Sequence, residues 1–211
     1  MKLISAGASP FARKVHVLLR ETGQIDDIEI LDVKTSPVAT NPEVMAANPV
    51  GKIPALLRSD GPALYDSRVI CRFMDARAQS NAAQSNGTHP EMYPDSRLWD
   101  VLTLEATADG IMDAAVLVTY EGRLRAPELQ DENWREAQWA KIARAVSALN
   151  TRWMSHLSGP LDMGQIAIGC ALGYLDFRHD ARKWRQGNDA LAAWYEEFAK
   201  RDSMVKTAPA D

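Results

Sequence analysis

A serine followed by a proline lies directly after the first apolar segment of the chain. Ser9 precedes Pro10, and the residues from Pro10 to Thr22 show a helical periodicity that ends at Gly23. A hydroxyl at a helix N-terminus can stabilise negative charge, because the helix dipole and the free backbone N–H groups favour an anion there. The same pair is also an ordinary N-cap with its first helical residue. Ser9 is therefore a candidate for anion stabilisation or for helix capping.

The composition argues against several other kinds of chemistry. The 211 residues carry a formal net charge of -4, whereas a main partner made of nucleic acid needs a basic face. The four histidines show no metal-ligand spacing, so we expect no metal, and no phosphate loop or dinucleotide fingerprint is present. No apolar run approaches the roughly 20 residues that span a bilayer, so we expect no membrane partner.

Both cysteines lie in apolar surroundings. Cys71 is found in the segment VICRF and Cys170 in IGCALGY, which predicts buried, reduced thiols, although two cysteines allow one disulfide on count alone. The first residues contain no long apolar region, so we expect no secretory signal. These features together predict a cytoplasmic protein.

The first part of the chain alternates strand and helix patterns. Short apolar or β-branched runs predict strands, helical periodicity predicts helices, and a turn from Ser59 to Pro62 predicts an antiparallel hairpin. The resulting order is β-α-β-α-β-β-α. The strands are predicted at residues 2–6, 28–33, 53–57 and 63–65, and the helices at 10–22, 42–47 and 67–78.

The second part of the chain is predicted to be entirely helical. Residues 79–89 are small and polar, so we expect a linker between a domain of residues 1–78 and a helical domain of residues 90–211. Asp162 and Gln165 have the spacing of a capping box, which indicates a structural role at a helix start. The tail from Ser203 onwards is predicted to be loose. Helices are predicted at residues 91–124, 131–157, 162–177 and 189–200.

Three segments carry a resemblance to a known family. They are SPFARKV from Ser9, NPVGKIPAL from Asn48 with DSRVI from Asp66, and LDMGQIA from Leu161 with GYLDF from Gly173. In order and spacing the chain resembles the cytosolic glutathione transferases over its whole length, and its serine resembles the theta- or omega-like bacterial branch. The resemblance implies an α/β thioredoxin-like N-terminal domain that binds glutathione, followed by an all-α C-terminal domain.

The resemblance also implies roles for the first two motifs. Ser9 would be the catalytic residue that stabilises the glutathione thiolate, since a free thiol with a pKa of about 8.5 is little ionised at neutral pH. Pro54 would be cis, and Ile53 would pair with the cysteinyl backbone of glutathione. A plain trans proline beginning an edge strand is the alternative from the residues alone.

Residues near Pro54 and at the start of the following helix are candidate partners for the charged ends of glutathione. Asp66 could accept the γ-glutamyl ammonium, and Ser67 with the first N–H groups of its helix could bind the neighbouring carboxylate. Either residue could equally be only a helix cap. Lys52, or less favourably Lys34, could meet the glycyl carboxylate, although an exposed lysine is usually only a solvated charge.

A pocket for a second, electrophilic substrate is expected from the resemblance between Phe11 and the first long helix of the second domain. Met112 and Val116 are the candidate lining residues, but an apolar stripe at this spacing is more often core. The family pattern also implies a homodimer. No cofactor is expected, since glutathione would be a co-substrate.

The leading hypothesis is a glutathione transferase that joins the thiolate to a small, largely apolar electrophile, in a detoxification role. A glutathione-dependent peroxidase or isomerase is a variant of the same chemistry. A protein of the same fold that binds or regulates without catalysis is the alternative from another class. A disulfide reductase is disfavoured, because serine at position 9 cannot form a mixed disulfide.

Overall fold

A computed structural model describes residues 1–84 and 89–210 of the chain. Within this part, a three-stranded sheet has the order β2-β1-β3, formed by β1 (Lys2–Ser5), β2 (Glu29–Asp32) and β3 (Ala55–Leu57). Strand β2 runs parallel to β1, with Ser5 opposite Asp32, and β3 runs antiparallel to β1, with Ile4 opposite Ala55. The predicted α/β N-terminal part is confirmed.

The predicted hairpin is present in reduced form. Leu64 forms a single antiparallel bridge with Leu56, with both backbone N–H groups donating at 2.9 Å, in place of the predicted fourth strand at 63–65. Pro62 lacks a backbone N–H, so the pairing cannot continue on that side. The turn of Ser59 to Pro62 therefore closes a very short hairpin.

Most of the remaining regular structure in residues 1–84 and 89–210 is helical. Their bounds are α1 (Pro10–Glu21), α2 (Pro42–Ala47), α3 (Ser67–Gln84), α4 (Leu98–Leu124), α5 (Glu132–Arg152), α6 (Met154–Leu157), α7 (Met163–His179), α8 (Asp189–Phe198) and α9 (Asp202–Val205). Helix α1 ends as predicted, with Gly23 following at a φ of 64°. The predicted helix 131–157 is interrupted at Trp153, and the helix predicted from residue 91 begins only at Leu98, after a 3-10 turn at Asp95–Arg97 that follows Pro94.

The chain divides into two compact units. One contains Met1–Leu98 together with the chain from Lys206 onwards, and the other contains Trp99–Val205. The domain bounds of 1–78 and 90–211 stay a prediction. Part of the predicted linker is helical, because α3 continues to Gln84, and residues 85–88 of that linker lie outside the described residues.

The sheet of the first unit is covered on both faces. Ile4 and Ala55 pack against Val44 and Ala47 of α2 on one face. Leu3 and Leu56 are paired and fully buried, and they point to the other face because side chains alternate along a strand. Helices α1 and α3 pack against each other, and α3 also contacts β3.

Helix α7 forms the buried centre of the second unit. All of its residues from Met163 to Leu175 are buried, as predicted for the central helix. The capping box is confirmed: Gln165 N donates to Asp162 Oδ1 at 3.2 Å, and Asp162 N donates to Gln165 Oε1 at 3.3 Å. His156 Nε2 lies 2.8 Å from the second oxygen of the fully buried Asp162.

The predicted loose tail is wrong for its first residues, because Ser203 to Val205 belong to helix α9. Helix α9 buries Ser203 and Met204, and the Met204 methyl lies close to the position that a Cβ would occupy at Gly169. The same Cβ would lie 2.5 Å from the Phe198 ring, so the absent side chain at Gly169 leaves room chiefly for Phe198. No helix within residues 1–84 and 89–210 has both the length and the apolar character needed to cross a membrane.

Candidate active site

Three of the predicted site segments lie at the same end of the sheet, next to the last residue of β1. Continuing the register of β1 and β3 by one residue brings Pro54 opposite Ser5, and continuing the Leu56–Leu64 bridge by two residues brings Asp66 opposite Pro54. The loop that follows β1 leads directly into Ser9. The sheet register therefore assembles the start of α1, the start of β3 and the start of α3.

Ser9 has the geometry of a helix cap. Its backbone is extended, with φ -82° and ψ 118°, and its half-buried hydroxyl accepts a hydrogen bond from Ala12 N at 3.2 Å. A hydroxyl that accepts this bond retains its own O–H for donation. The capping role is therefore present, and it leaves Ser9 able to donate to an anion.

The peptide bond between Ile53 and Pro54 is cis, as the resemblance implied. Pro54 is buried, and Ile53 is half-buried and packs against the cluster formed by the sheet and α2. Lys52, directly before them, is exposed. The structure thus leaves the Lys52 ammonium in solvent beside the start of β3.

A buried asparagine shapes the loop before this proline, and the sequence interpretation missed it. Asn48 Nδ2 donates to the carbonyl of Lys52 at 2.8 Å, while Asn48 Oδ1 accepts from Val50 N at 3.0 Å. Gly51 N donates to the Asn48 carbonyl at 2.8 Å. Asn48 therefore fixes both ends of the loop that presents Lys52 and Ile53. Its place before Pro49 was the available signal, since Asn-Pro marks turns.

Glycine is required within the same loop. Gly51 has a φ of +69°, and a Cβ at this position would lie 3.0 Å from the Thr40 methyl. Both the backbone conformation and the nearby side chain therefore disfavour any other residue.

Asp66 is held by an arginine two residues further on. Arg68 N donates to Asp66 Oδ1 at 3.0 Å, and Arg68 Nη2 donates to Asp66 Oδ2 at 2.9 Å. Burial raises the pKa of the Asp66 carboxyl, but the hydrogen bonds and charge of Arg68, with the charge of Lys14, outweigh burial and bring the pKa below its ordinary value. The carboxylate is therefore ionised at neutral pH and suited to an ammonium ligand.

Ser67 and two cations complete this region. Ser67 is buried and is the first residue of α3, and the preceding peptide bond between Tyr65 and Asp66 is cis. Lys14 of α1 is fully buried, and its charge acts on Asp66. Arg68 and Lys14 were not predicted as site residues, although both lie within the quoted motifs.

A histidine of α1 forms a hydrogen bond with Ser5 at this same end of the sheet. His16 Nε2 of α1 is 2.8 Å from Ser5 Oγ, and Ser5 itself is buried. Burial lowers the pKa of His16, Arg20 lowers it further, and Asp32 acts in the opposite direction. The imidazole is therefore neutral in the folded protein near pH 7.

The predicted residues of the second-substrate pocket belong to different units. Phe11 is the second residue of α1 and is half-buried, whereas Met112 and Val116 lie on α4. Met112 is fully buried and Val116 is half-buried. Their role in a pocket stays a prediction.

Two further expectations concern cysteines and metals. Cys71 and Cys170 are both buried and are not joined by a disulfide. Within residues 1–84 and 89–210, no three His, Cys, Asp or Glu side chains are grouped closely enough to bind a metal ion.

Two family models match the chain. The glutathione S-transferase N-terminal domain matches residues 8–77, which include Ser9, Ile53 and Asp66. The glutathione S-transferase C-terminal domain matches residues 132–197, which include the capping box at Asp162.

Similar proteins extend over the full length. The uncharacterized GST-like protein YibF of Escherichia coli (strain K12) is 32% identical over 99% of this chain and 98% of its own. A glutathione transferase family member from Pseudomonas fluorescens Pf-5, solved with bound glutathione, is 44% identical, with a TM-score of 0.92 over 100% of this chain and 99% of that chain.

A second solved relative agrees with the first. A glutathione S-transferase from Methylobacillus flagellatus KT with glutathione bound is 34% identical, with a TM-score of 0.82 over 99% of each chain. The fold, both family models and relatives along the whole chain therefore agree: this protein belongs to the glutathione S-transferase family.

Proposed function

We propose that this protein is a glutathione transferase that stabilises the thiolate of glutathione for attack on a small, largely apolar electrophile. The observation that carries the proposal is the Ser9 hydroxyl, which accepts from Ala12 N at the start of α1 and keeps its own proton for donation. A sulfur anion near this hydroxyl gains a hydrogen bond and the favourable end of the helix dipole.

Glutathione binds, in this proposal, along the edge that joins β3 and α3. The backbone of Ile53 pairs with the cysteinyl residue of the ligand, and the Asp66 carboxylate accepts the γ-glutamyl ammonium. The γ-glutamyl carboxylate meets Ser67 and the first N–H groups of α3. Lys52 is exposed and meets the glycyl carboxylate. Support comes from the Pseudomonas fluorescens relative, which was solved with glutathione and with S-(propanoic acid)-glutathione bound.

The reaction requires only a thiolate and an electrophilic carbon. The glutathione thiol loses its proton to solvent, and the thiolate then forms a carbon–sulfur bond while the leaving group departs with the bonding electrons. Ser9 donates a hydrogen bond to the sulfur throughout, so no covalent bond to the protein is needed. Phe11 and Val116, both half-buried, are proposed to supply apolar surface for the electrophile, whereas the fully buried Met112 supports this role least.

The test compares thiolate titrations. The ultraviolet absorbance of the thiolate is followed against pH with saturating glutathione, for the wild type and Ser9→Ala. We expect Ser9→Ala to raise the pKa of bound glutathione and to lower kcat, by up to about 100-fold as for a lost donor in a well-organised site, with little change in affinity.

Two controls separate catalysis from capping. Ser9→Thr keeps a hydroxyl and should retain most of the activity. Asn41→Ala removes a cap from α2, where Asn41 Oδ1 accepts from Glu43 N at 2.8 Å, and should cost about 1 kcal/mol of stability without moving the thiolate titration. Coincident titrations of wild type and Ser9→Ala would reduce Ser9 to a helix cap.

A further inference from the structure

The last described residues of the chain pack on the loop that carries Ser9. Residues 206–210, named here the C-terminal segment, belong to the first compact unit. Arg13 Nε of α1 donates to Thr207 Oγ1 at 3.4 Å. At Gly7, a Cβ would lie 3.3 Å from the carbonyl oxygen of Ala210. The segment therefore bonds to Arg13 on one side of Ser9 and passes close to Gly7 on the other.

Backbone hydrogen bonds connect Arg13 and the loop before α1 to Ser9. Arg13 N donates to the Ser9 carbonyl at 3.0 Å, and Ser9 N donates to the Ala6 carbonyl at 3.0 Å. Ala12 N donates to the Ser9 hydroxyl at 3.2 Å. Arg13 is itself buried, so its side chain has little room to move. A displacement of Arg13 or Gly7 would therefore change the position of the Ser9 hydroxyl.

We propose that the C-terminal segment is a positioning element for Ser9, with Thr207 as its positioning residue. The segment limits the motion of the loop from Ala6 to Ser9 and of the first turn of α1. It thereby keeps the Ser9 hydroxyl at a fixed distance from the bound sulfur. The role in catalysis rests on the proposed function, whereas the restraint on the loop does not.

The restraint is tested in the full-length protein without glutathione, by amide hydrogen exchange at Ser9, Ala12 and Arg13. In Thr207→Val, which keeps the shape but removes the acceptor, we expect these amides to exchange about 10-fold faster. This is the lower end of the effect of losing one hydrogen bond from a charged donor, because the bond is long at 3.4 Å. Thr207→Ser keeps the hydroxyl and should exchange at the wild-type rate.

Two other variants sharpen this result. Gly7→Ala places a methyl group against the Ala210 carbonyl and should accelerate the same three amides from the other side of the loop. Thr151→Val is the matched control, because Thr151 donates to Ser147 O at 2.9 Å on an exposed face of α5. Unchanged exchange at the three amides in both Thr207→Val and Gly7→Ala would overturn the proposal.

The catalytic consequence has a separate measurement. With saturating glutathione, Thr207→Val should raise the pKa of the bound thiol and lower kcat, while KM for glutathione stays near the wild-type value and Thr207→Ser restores both. If exchange rises but the thiol pKa is unchanged in a protein that binds glutathione, the positioning role is wrong. If the wild type binds no glutathione, the proposed function fails, and the exchange result alone decides whether the segment restrains the loop.

Discussion

The Asp66 carboxylate and the Arg68 guanidinium form an ion pair at 2.9 Å across the first turn of α3. Both side chains are more than half exposed, and exposed pairs contribute little to stability. Arg68 also donates its backbone N–H to the same carboxylate, so the side chain of Asp66 is held in one orientation. The pair is better suited to orienting a ligand than to stabilising the fold.

The first prediction follows from this arrangement. Asp66→Asn should weaken glutathione binding by about 1.5–3 kcal/mol, the scale of a hydrogen bond to a charged group, because the ammonium loses its anionic partner. The free energy of unfolding should change by less than about 1 kcal/mol. Calorimetric titration with glutathione measures the first quantity and urea denaturation the second.

Asp60→Asn is the matched control for this experiment. Asp60 is exposed and pairs with Arg58 at 3.7 Å in the same unit, but it lies in the hairpin turn. Its substitution should leave glutathione affinity unchanged. Equal affinities of the wild type and Asp66→Asn would remove Asp66 from the site.

The second prediction concerns the dependence of stability on pH. His16 has a lowered pKa in the folded protein, so the unfolded chain binds a proton more readily. The contribution of the buried, neutral imidazole to the free energy of unfolding is fully present above the pKa of histidine in the unfolded chain, about 6.5. This contribution is lost as the pH falls from there through the lowered pKa of the folded protein. Urea denaturation should therefore give a lower unfolding free energy at pH 5.5 than at pH 7.5.

A His16→Gln variant isolates this contribution. Glutamine cannot titrate, so the decrease between pH 7.5 and pH 5.5 should be smaller than in the wild type. His179 also has a pKa lowered by burial, so part of the decrease should remain and should be reduced in His179→Gln. An identical decrease in the wild type and His16→Gln would contradict the assignment.

The third prediction compares two glycines. Gly51→Ala should destabilise the protein by about 1–2 kcal/mol, because a left-handed backbone disfavours a Cβ and the Thr40 methyl lies 3.0 Å away. Gly110→Ala should stabilise by about 0.5–1 kcal/mol, because Gly110 lies inside α4 and, apart from the nearby backbone of its own helix, no atom would lie within 4 Å of the new Cβ. Urea denaturation of both variants should give changes of opposite sign in the free energy of unfolding. The result for Gly51→Ala checks the geometry of the loop before Ile53, and Gly110→Ala is the comparison.

The fourth prediction is a homodimer, the commonest symmetric assembly and the one expected from the family pattern. Sedimentation equilibrium at micromolar concentration should give twice the 23.3 kDa mass of one chain. A single species of 23.3 kDa across the concentration range would show that the protein is a monomer.

The sequence predicted the helix ends that carry a capping residue, a proline or a glycine. Helices α1 and α2 begin at a proline preceded by Ser9 or Asn41, and α1 is followed by Gly23, so their limits could be read from the residues. The break at Trp153 has no such mark, since neither glycine nor proline is present there. Helix α3 continues to Gln84 because residues 79–84 are small or polar but contain no helix breaker.

The site could be predicted only in part, for a related reason. Ser9, the cis Pro54 and Asp66 lie in the short motifs on which the resemblance to the family was recognised. Asn48 and Lys14 act through contacts that depend on tertiary packing: one bonds to the backbone of a loop, and the other brings its charge near Asp66 from a different helix. Spacing along the sequence does not encode such contacts.

One continuous stretch of chain, from Ser9 to Ser67, supplies every residue that we assign to glutathione. Helices α4 to α8 supply none of them, so a search for new electrophiles can vary these helices while thiol binding is kept constant. A library at Met112, Val116 and their neighbours on α4 could be selected first for retention on immobilised glutathione and then for reaction. If the proposed function holds, the first part of the chain fixes the thiol that reacts, and changes in α4 can select the electrophile.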